Sequence, residues 1–120
     1  MNNKKVLVID DEDFIRELVM DFLELKDIHC DAAENATSAL KLYSETDYDL
    51  VLLDVNLGNT NAVEVLAELK KIRTNTPVVL LTGDPHYDEE YSGRIGADGV
   101  IFKPFQIDDF IKNIKKILES

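Results

Sequence analysis

A chain of 120 residues fits one domain, and a globular chain of this size buries roughly two thirds of its unfolded surface, enough for one ordinary core. Its 45% apolar content is that of a soluble globular protein, and no apolar run approaches the roughly 20 residues that cross a bilayer. Twenty-four acidic residues against thirteen basic ones give a formal charge of −11, which repels a phosphate backbone and argues against direct nucleic-acid binding.

Met1-Asn2-Asn3-Lys4-Lys5 is basic, but only four apolar residues follow before Asp10, too few for the h-region of a signal peptide, so a cytoplasmic location and no membrane contact are expected. Val6–Ile9 is strand-sized and nearly unbroken in its apolar character. After it the Asp11 to Asp13 run can cap a first helix, in which Phe14, Ile15, Leu18, Val19, Phe22 and Leu25 recur at helical spacing and are expected to face the core. His29–Ala33 is the second strand candidate, and Asn35 can cap the second helix. Leu50–Leu53 is the third strand. Asn61 with Glu64 resembles a capping box before the stripe Ala62, Val65, Leu66, Leu69 and Ile72. Val78–Leu81 is the fourth strand; a fourth helix is expected somewhere in His86–Ile95, interrupted by Gly93 and mostly polar. Val100–Phe102 is the fifth strand, followed by the clearest helical stripe, Ile107, Phe110, Ile111, Ile114, Ile117 and Leu118. Cys30 can form no internal disulfide and is expected in the core; with only His29 and His86 beside it, both read as structural or exposed, there is no zinc-type cluster.

Strands alternating with helices imply an α/β domain with a parallel sheet. Right-handed crossovers leave the doubly wound, flavodoxin-like (βα)5 arrangement with strand order 2-1-3-4-5 as the expected topology over residues 1–120. Ligands of such sheets bind beyond the carboxyl ends of the strands, at the switch point between the first and third. The residues just past the strands are Asp10 and Asp11, Asp54, Thr82 and Lys103, all expected on one rim. Clustered carboxylates cost free energy unless a cation joins them. Oxygen-only donors with no imidazole or thiolate nearby favour Mg²⁺. A carboxylate beside such an ion can act as a nucleophile toward phosphorus if positive groups meet the developing charge, and Lys103, Thr82 and the metal could do so.

Four segments in this order, VLVIDDED, VLLDVNL, VVLLTG and FKPF, resemble the response-regulator receiver domains of bacterial two-component signalling, of the chemotaxis-regulator-like kind. The resemblance covers the whole chain. It implies that Asp10 and Asp11 hold Mg²⁺ with Asp54 and the backbone of Asn56. It also implies that Asp54 accepts a phosphoryl group from a histidine kinase or a histidine phosphotransfer protein, and that Thr82 and Lys103 reorganise around that group. The Lys103-Pro104 bond is expected to be cis. The chain would then catalyse only its own phosphorylation and dephosphorylation, switching a downstream protein partner or a fused output domain. Asn56 and Asp84 would flank the path of the water that ends the phosphorylated state.

Three positions depart from that pattern. Gly58 and Ala62 stand in the loop after Asp54 where the family often has proline and glycine, so that loop is expected to take its own path. Val100 replaces the usual aromatic three residues before the lysine; a β-branched side chain has no ring to swing, so the response is expected at Gly83–Gly96 rather than on the last strand. Two rival readings remain at this level. A haloacid-dehalogenase-type hydrolase would use the Asp-x-Asp spacing of Asp11-Glu12-Asp13, but it needs a late acidic pair, for which only Asp108-Asp109 within a helix is available. A degenerate receiver serving as a bare interaction module is countered by the presence of all the expected site residues.

Overall fold

The computed structural model describes residues 4–119, so the Met1-Asn2-Asn3 part of the basic leader lies outside it. In chain order the elements are β1 (Lys5–Ile9), α1 (Asp13–Leu25), β2 (His29–Ala33), α2 (Ala36–Glu45), β3 (Leu50–Asp54), α3 (Ala62–Ile72), β4 (Val78–Thr82), α4 (Glu89–Arg94), β5 (Gly99–Phe102) and α5 (Ile107–Leu118). Among the described residues the five strands form one sheet in the order β2-β1-β3-β4-β5, every pairing parallel. The doubly wound α/β expectation holds.

Strand alternation divides the core in two. Val6, Val8, Leu50, Leu52, Val79, Leu81 and Ile101 point to the face covered by α1 and α5, while Leu7, Ile9, Val51, Leu53, Val78 and Leu80 point to the face covered by α2 and α3. Residues of β1, β3 and β4 are apolar at consecutive positions because both of their faces are covered. Cys30 lies in the first of these cores as a small buried residue. Burial pushes its thiol up to about 12, with the nearby charges of Asp31 and Glu24 adding to the effect.

The first helix corrects one expectation. Val19 and Leu23 are its buried residues, with Ile15 and Met20 packed partly against the core, whereas Phe14 and Leu25 are 70% and 76% exposed. Residues 15, 19 and 23 are four apart and stack on one face, and Phe14 and Leu25 fall on its flanks because the apolar arc is wider than the surface the sheet offers. The caps follow the sequence more closely. Asn35 accepts a hydrogen bond from the N–H of Ser38, as a side chain at that position should. Asn61 accepts from Val63 N–H, one residue earlier than the reciprocal box requires. The fourth helix is short, and its cap is Asp88, which accepts from Tyr91 N–H. No helix among the described residues is long and apolar enough to cross a membrane.

Candidate functional site

The sheet register brings the polar residues together. Ile9 pairs with Leu53, so Asp10 and Asp54 leave adjacent strands at the same height. Thr82 pairs with Phe102, and the N–H of Lys103 donates to the Thr82 carbonyl at 2.7 Å, which sets the lysine beside the end of β4. Strand alternation then buries Asp10, Asp54 and Thr82 (0%, 2% and 1% exposed) at the carboxyl rim, the place a doubly wound sheet offers a ligand.

Lys103 is the hub. Its Nζ lies 3.3 Å from Asp10 Oδ2, 3.4 Å from Asp54 Oδ2 and 3.7 Å from Glu12 Oε1. Partial burial works against its charge, but the carboxylates of Asp54 and Asp10 outweigh that and hold the ammonium above its ordinary pKa. The Lys103-Pro104 bond is cis, as expected from the sequence. Asp54 itself is held by one hydrogen bond, from the N–H of Asn56 to Oδ1 at 3.0 Å. Its Oδ2 is buried and makes no hydrogen bond, although the Lys103 ammonium is near. Burial pushes the Asp54 carboxyl up to about 6; the Asn56 N–H opposes this, the charge of Asp10 adds to it and that of Lys103 opposes it. The Thr82 hydroxyl accepts from the N–H of Asp84 at 2.9 Å, so its proton remains available to a donor-seeking oxygen. Asp84 Oδ1 is engaged by the N–H of His86 at 2.9 Å, a local turn that keeps its carboxylate near the loop backbone.

Asp10, Glu12 and Asp54 form an acidic group whose ligand oxygens all lie within 4.8 Å of one another. Asp11, which the sequence placed in the metal site, is exposed and its carboxylate stands outside that group. The reason is local: Asp10 turns inward after the strand, and the next residue turns to solvent. Glu12 was read from the sequence only as part of a capping run; its spacing of two from Asp10 is the signal that could have found it. The donors fit a hard divalent cation, being all oxygen, crowded, and including the unbonded Asp54 Oδ2. In the loop that follows, Gly58 has φ of +61° inside a turn closed by Thr60 N–H to the Leu57 carbonyl, while Ala62 opens α3 with an ordinary helical role. Val100 is partly buried and packs on the second core, as do Tyr87 and Ile95.

A parallel 2-1-3-4-5 sheet carrying an aspartate after β3, an acid group after β1 and a lysine after β5 defines a receiver-type α/β domain. The family model for the response regulator receiver domain matches residues 6–115, and the chain belongs to that family. It is 32% identical over 118 residues to the chemotaxis protein CheY of Halobacterium salinarum, covering 98% of each chain. It is 34% identical to the transcriptional regulatory protein ResD of Bacillus subtilis, covering 98% of this chain but 49% of that one. The chain thus spans about half the length of that regulator. Among solved structures, the response regulator TrrA of Thermotoga maritima, in complex with Mg²⁺-BeF, is 36% identical with a TM-score of 0.84, covering 95% of this chain and 98% of its own. A receiver domain of Methanospirillum hungatei superimposes with a TM-score of 0.90 at 26% identity, covering 98% and 94%. The family match, and not the Asp11-x-Asp13 spacing, gives the class of this domain.

Proposed function

We propose that this receiver domain takes a phosphoryl group on Asp54 from a phosphohistidine of a histidine kinase or phosphotransfer protein, with Mg²⁺ bound at the rim. The observation that carries the reading is Asp54 Oδ2, a buried carboxylate oxygen without a hydrogen bond, facing the Lys103 ammonium inside an acidic group. The bond to Asn56 N–H fixes Oδ1 and leaves Oδ2 as the attacking atom. Oδ2 would form the new P–O bond as the P–N bond of the donor breaks and the imidazole nitrogen leaves with the electron pair. Lys103 lies close enough to move its ammonium from the carboxylates to the incoming phosphoryl oxygens, and Thr82 can offer its hydroxyl proton to one of them. The cation, held by Asp10, Asp11 and Asp54 and the backbone of Asn56 as the resemblance implies, would supply positive charge to those same oxygens.

The chain would perform only this transfer and the hydrolysis of the resulting aspartyl phosphate to Asp54 and inorganic phosphate, without turning over a separate substrate. It would act in the cytoplasm, and its output would be a separate protein or a fused domain, as in the longer regulators it resembles. With Val100 at the last strand, the response would run through Thr82 and Gly83–Gly96. The test is intact mass after exposure to acetyl phosphate and Mg²⁺: one phosphoryl group added to the wild type and none to Asp54→Asn is expected. Full labelling of Asp54→Asn would sink the assignment.

A further inference from the structure

Resting on that reading, we propose that the ring of Tyr87 carries the state of the rim outward to α4, moved by the same Thr82 hydroxyl that serves the phosphoryl group. The link is an unbroken run of hydrogen bonds. Thr82 Oγ1 accepts from the N–H of Asp84 at 2.9 Å, and the Asp84 carbonyl accepts from the N–H of Tyr87 at 3.0 Å. Asp84-Pro85-His86-Tyr87 is thereby a closed four-residue turn, with aspartate first and proline second as such turns favour, and Asp84 Oδ1 takes the N–H of His86 inside it. Proline fixes its own φ, so the turn is stiff and moves as a piece. Beyond it the Tyr87 carbonyl accepts from the Ser92 hydroxyl at 3.2 Å, and Ser92 is the buried residue of α4. Asp88, between them, caps that helix.

The Tyr87 side chain sits where such a movement is felt. It is half-buried against the second core, and its ring meets those of Tyr91 and His86 edge-on, with centroids 5.4 and 5.6 Å away. Edge-to-face contacts are directional, so a displaced turn trades one set of them for another. Val100 of β5 packs on the same core, but its β-branched side chain is stiff at χ1 and exchanges poses poorly. A phosphoryl oxygen that takes the Thr82 hydroxyl proton draws the hydroxyl toward Asp54, and with it the Asp84 N–H, the turn and the ring. The two states of the rim then differ in the contacts of Tyr87, which is what a coupled equilibrium requires.

The chain has four tyrosines, so 3-fluorotyrosine labelling gives four fluorine resonances, and Tyr87→Phe assigns that of Tyr87. Beryllofluoride with Mg²⁺ is the probe, and the resonance of the bound ion reports its own occupancy. The Tyr87 resonance should shift on binding, while those of Tyr43 and Tyr48, stacked on each other, stay in place. Amide exchange over Glu89–Arg94 should change on binding in wild type and Tyr87→Phe alike, and that change should be lost in Tyr87→Ala. Bound beryllofluoride with an unmoved Tyr87 resonance, or an undiminished exchange response in Tyr87→Ala, would overturn the role of Tyr87 and leave Asp54 as the phosphoryl acceptor. No bound-ion resonance in the wild type would remove the reading of the site itself, and this inference with it.

Discussion

The two ends of the sheet treat their acidic residues in opposite ways. At the amino ends of β4 and β5, Asp98 Oδ2 accepts from Lys70 Nζ at 2.6 Å and from the N–H of Val78 at 2.8 Å. Lys70 also donates to the Thr76 carbonyl at 3.0 Å, so one acid and one base close on each other and on the backbone around them. At the carboxyl rim, one lysine faces three carboxylates and a buried oxygen of Asp54 has no hydrogen bond. Polar groups that satisfy one another hold a fold, whereas a buried group left unsatisfied costs stability and is retained where an outside partner completes it. The first end is a fastening and the second is a site.

The comparison is sharpened most by Asp54→Asn in metal-free buffer. The folded carboxyl titrates near 6 against an ordinary value of 3.8, so its contribution to stability is fully present below 3.8 and lost as pH rises through 6. Above pH 7 the variant should therefore be more stable than wild type by roughly 2–3 kcal/mol, an advantage that vanishes toward pH 4. Mg²⁺ should narrow the gap by stabilising the wild type alone. Urea titrations with and without chelator measure both effects, and a less stable Asp54→Asn at pH 8 would mean the rim is satisfied after all.

Asp98→Ala should act in the opposite direction, costing about 1–2 kcal/mol by stranding the Val78 N–H at the start of a buried strand. Its cost should not change with Mg²⁺, since the residue sits at the far end of the sheet. A Mg²⁺-dependent difference in thermal midpoint would break the division between the two ends.

The smallest effect is expected at His29, whose Nε2 lies 2.9 Å from Asp31 Oδ1 on an exposed side chain. Asp31 Oδ2 is held separately by the Tyr48 hydroxyl at 2.6 Å. His29→Gln should change stability by less than about 0.5 kcal/mol, as exposed pairs do. A larger loss in chemical denaturation would give β2 a structural histidine.

Much of this was written in the linear order of residues. Parallel strands covered on both faces must be apolar without a break, so β1, β3 and β4 show in the sequence as solid runs, and Asp10, Asp54, Thr82 and Lys103 stand out because a polar residue ends each run or follows it. Periodicity also found α5, where every third or fourth residue is apolar. It overreached in α1, because spacing shows which residues share an arc but not how much of that arc a neighbour covers; Phe14 and Leu25 are exposed. The position of the Glu12 carboxylate likewise lay beyond the sequence. Glu12 N–H donates to Asp10 Oδ1, and the turn this makes leaves a Glu12 oxygen within the acidic group of Asp10 and Asp54. Sequence by itself determined the layers, the strand order and the residue types at the rim, because those follow from burial and chain connectivity. Distances among the rim side chains, and the buried Asp54 oxygen left without a hydrogen bond, were decided by tertiary structure alone, because they depend on how separate strand ends and one helix turn come to rest against each other.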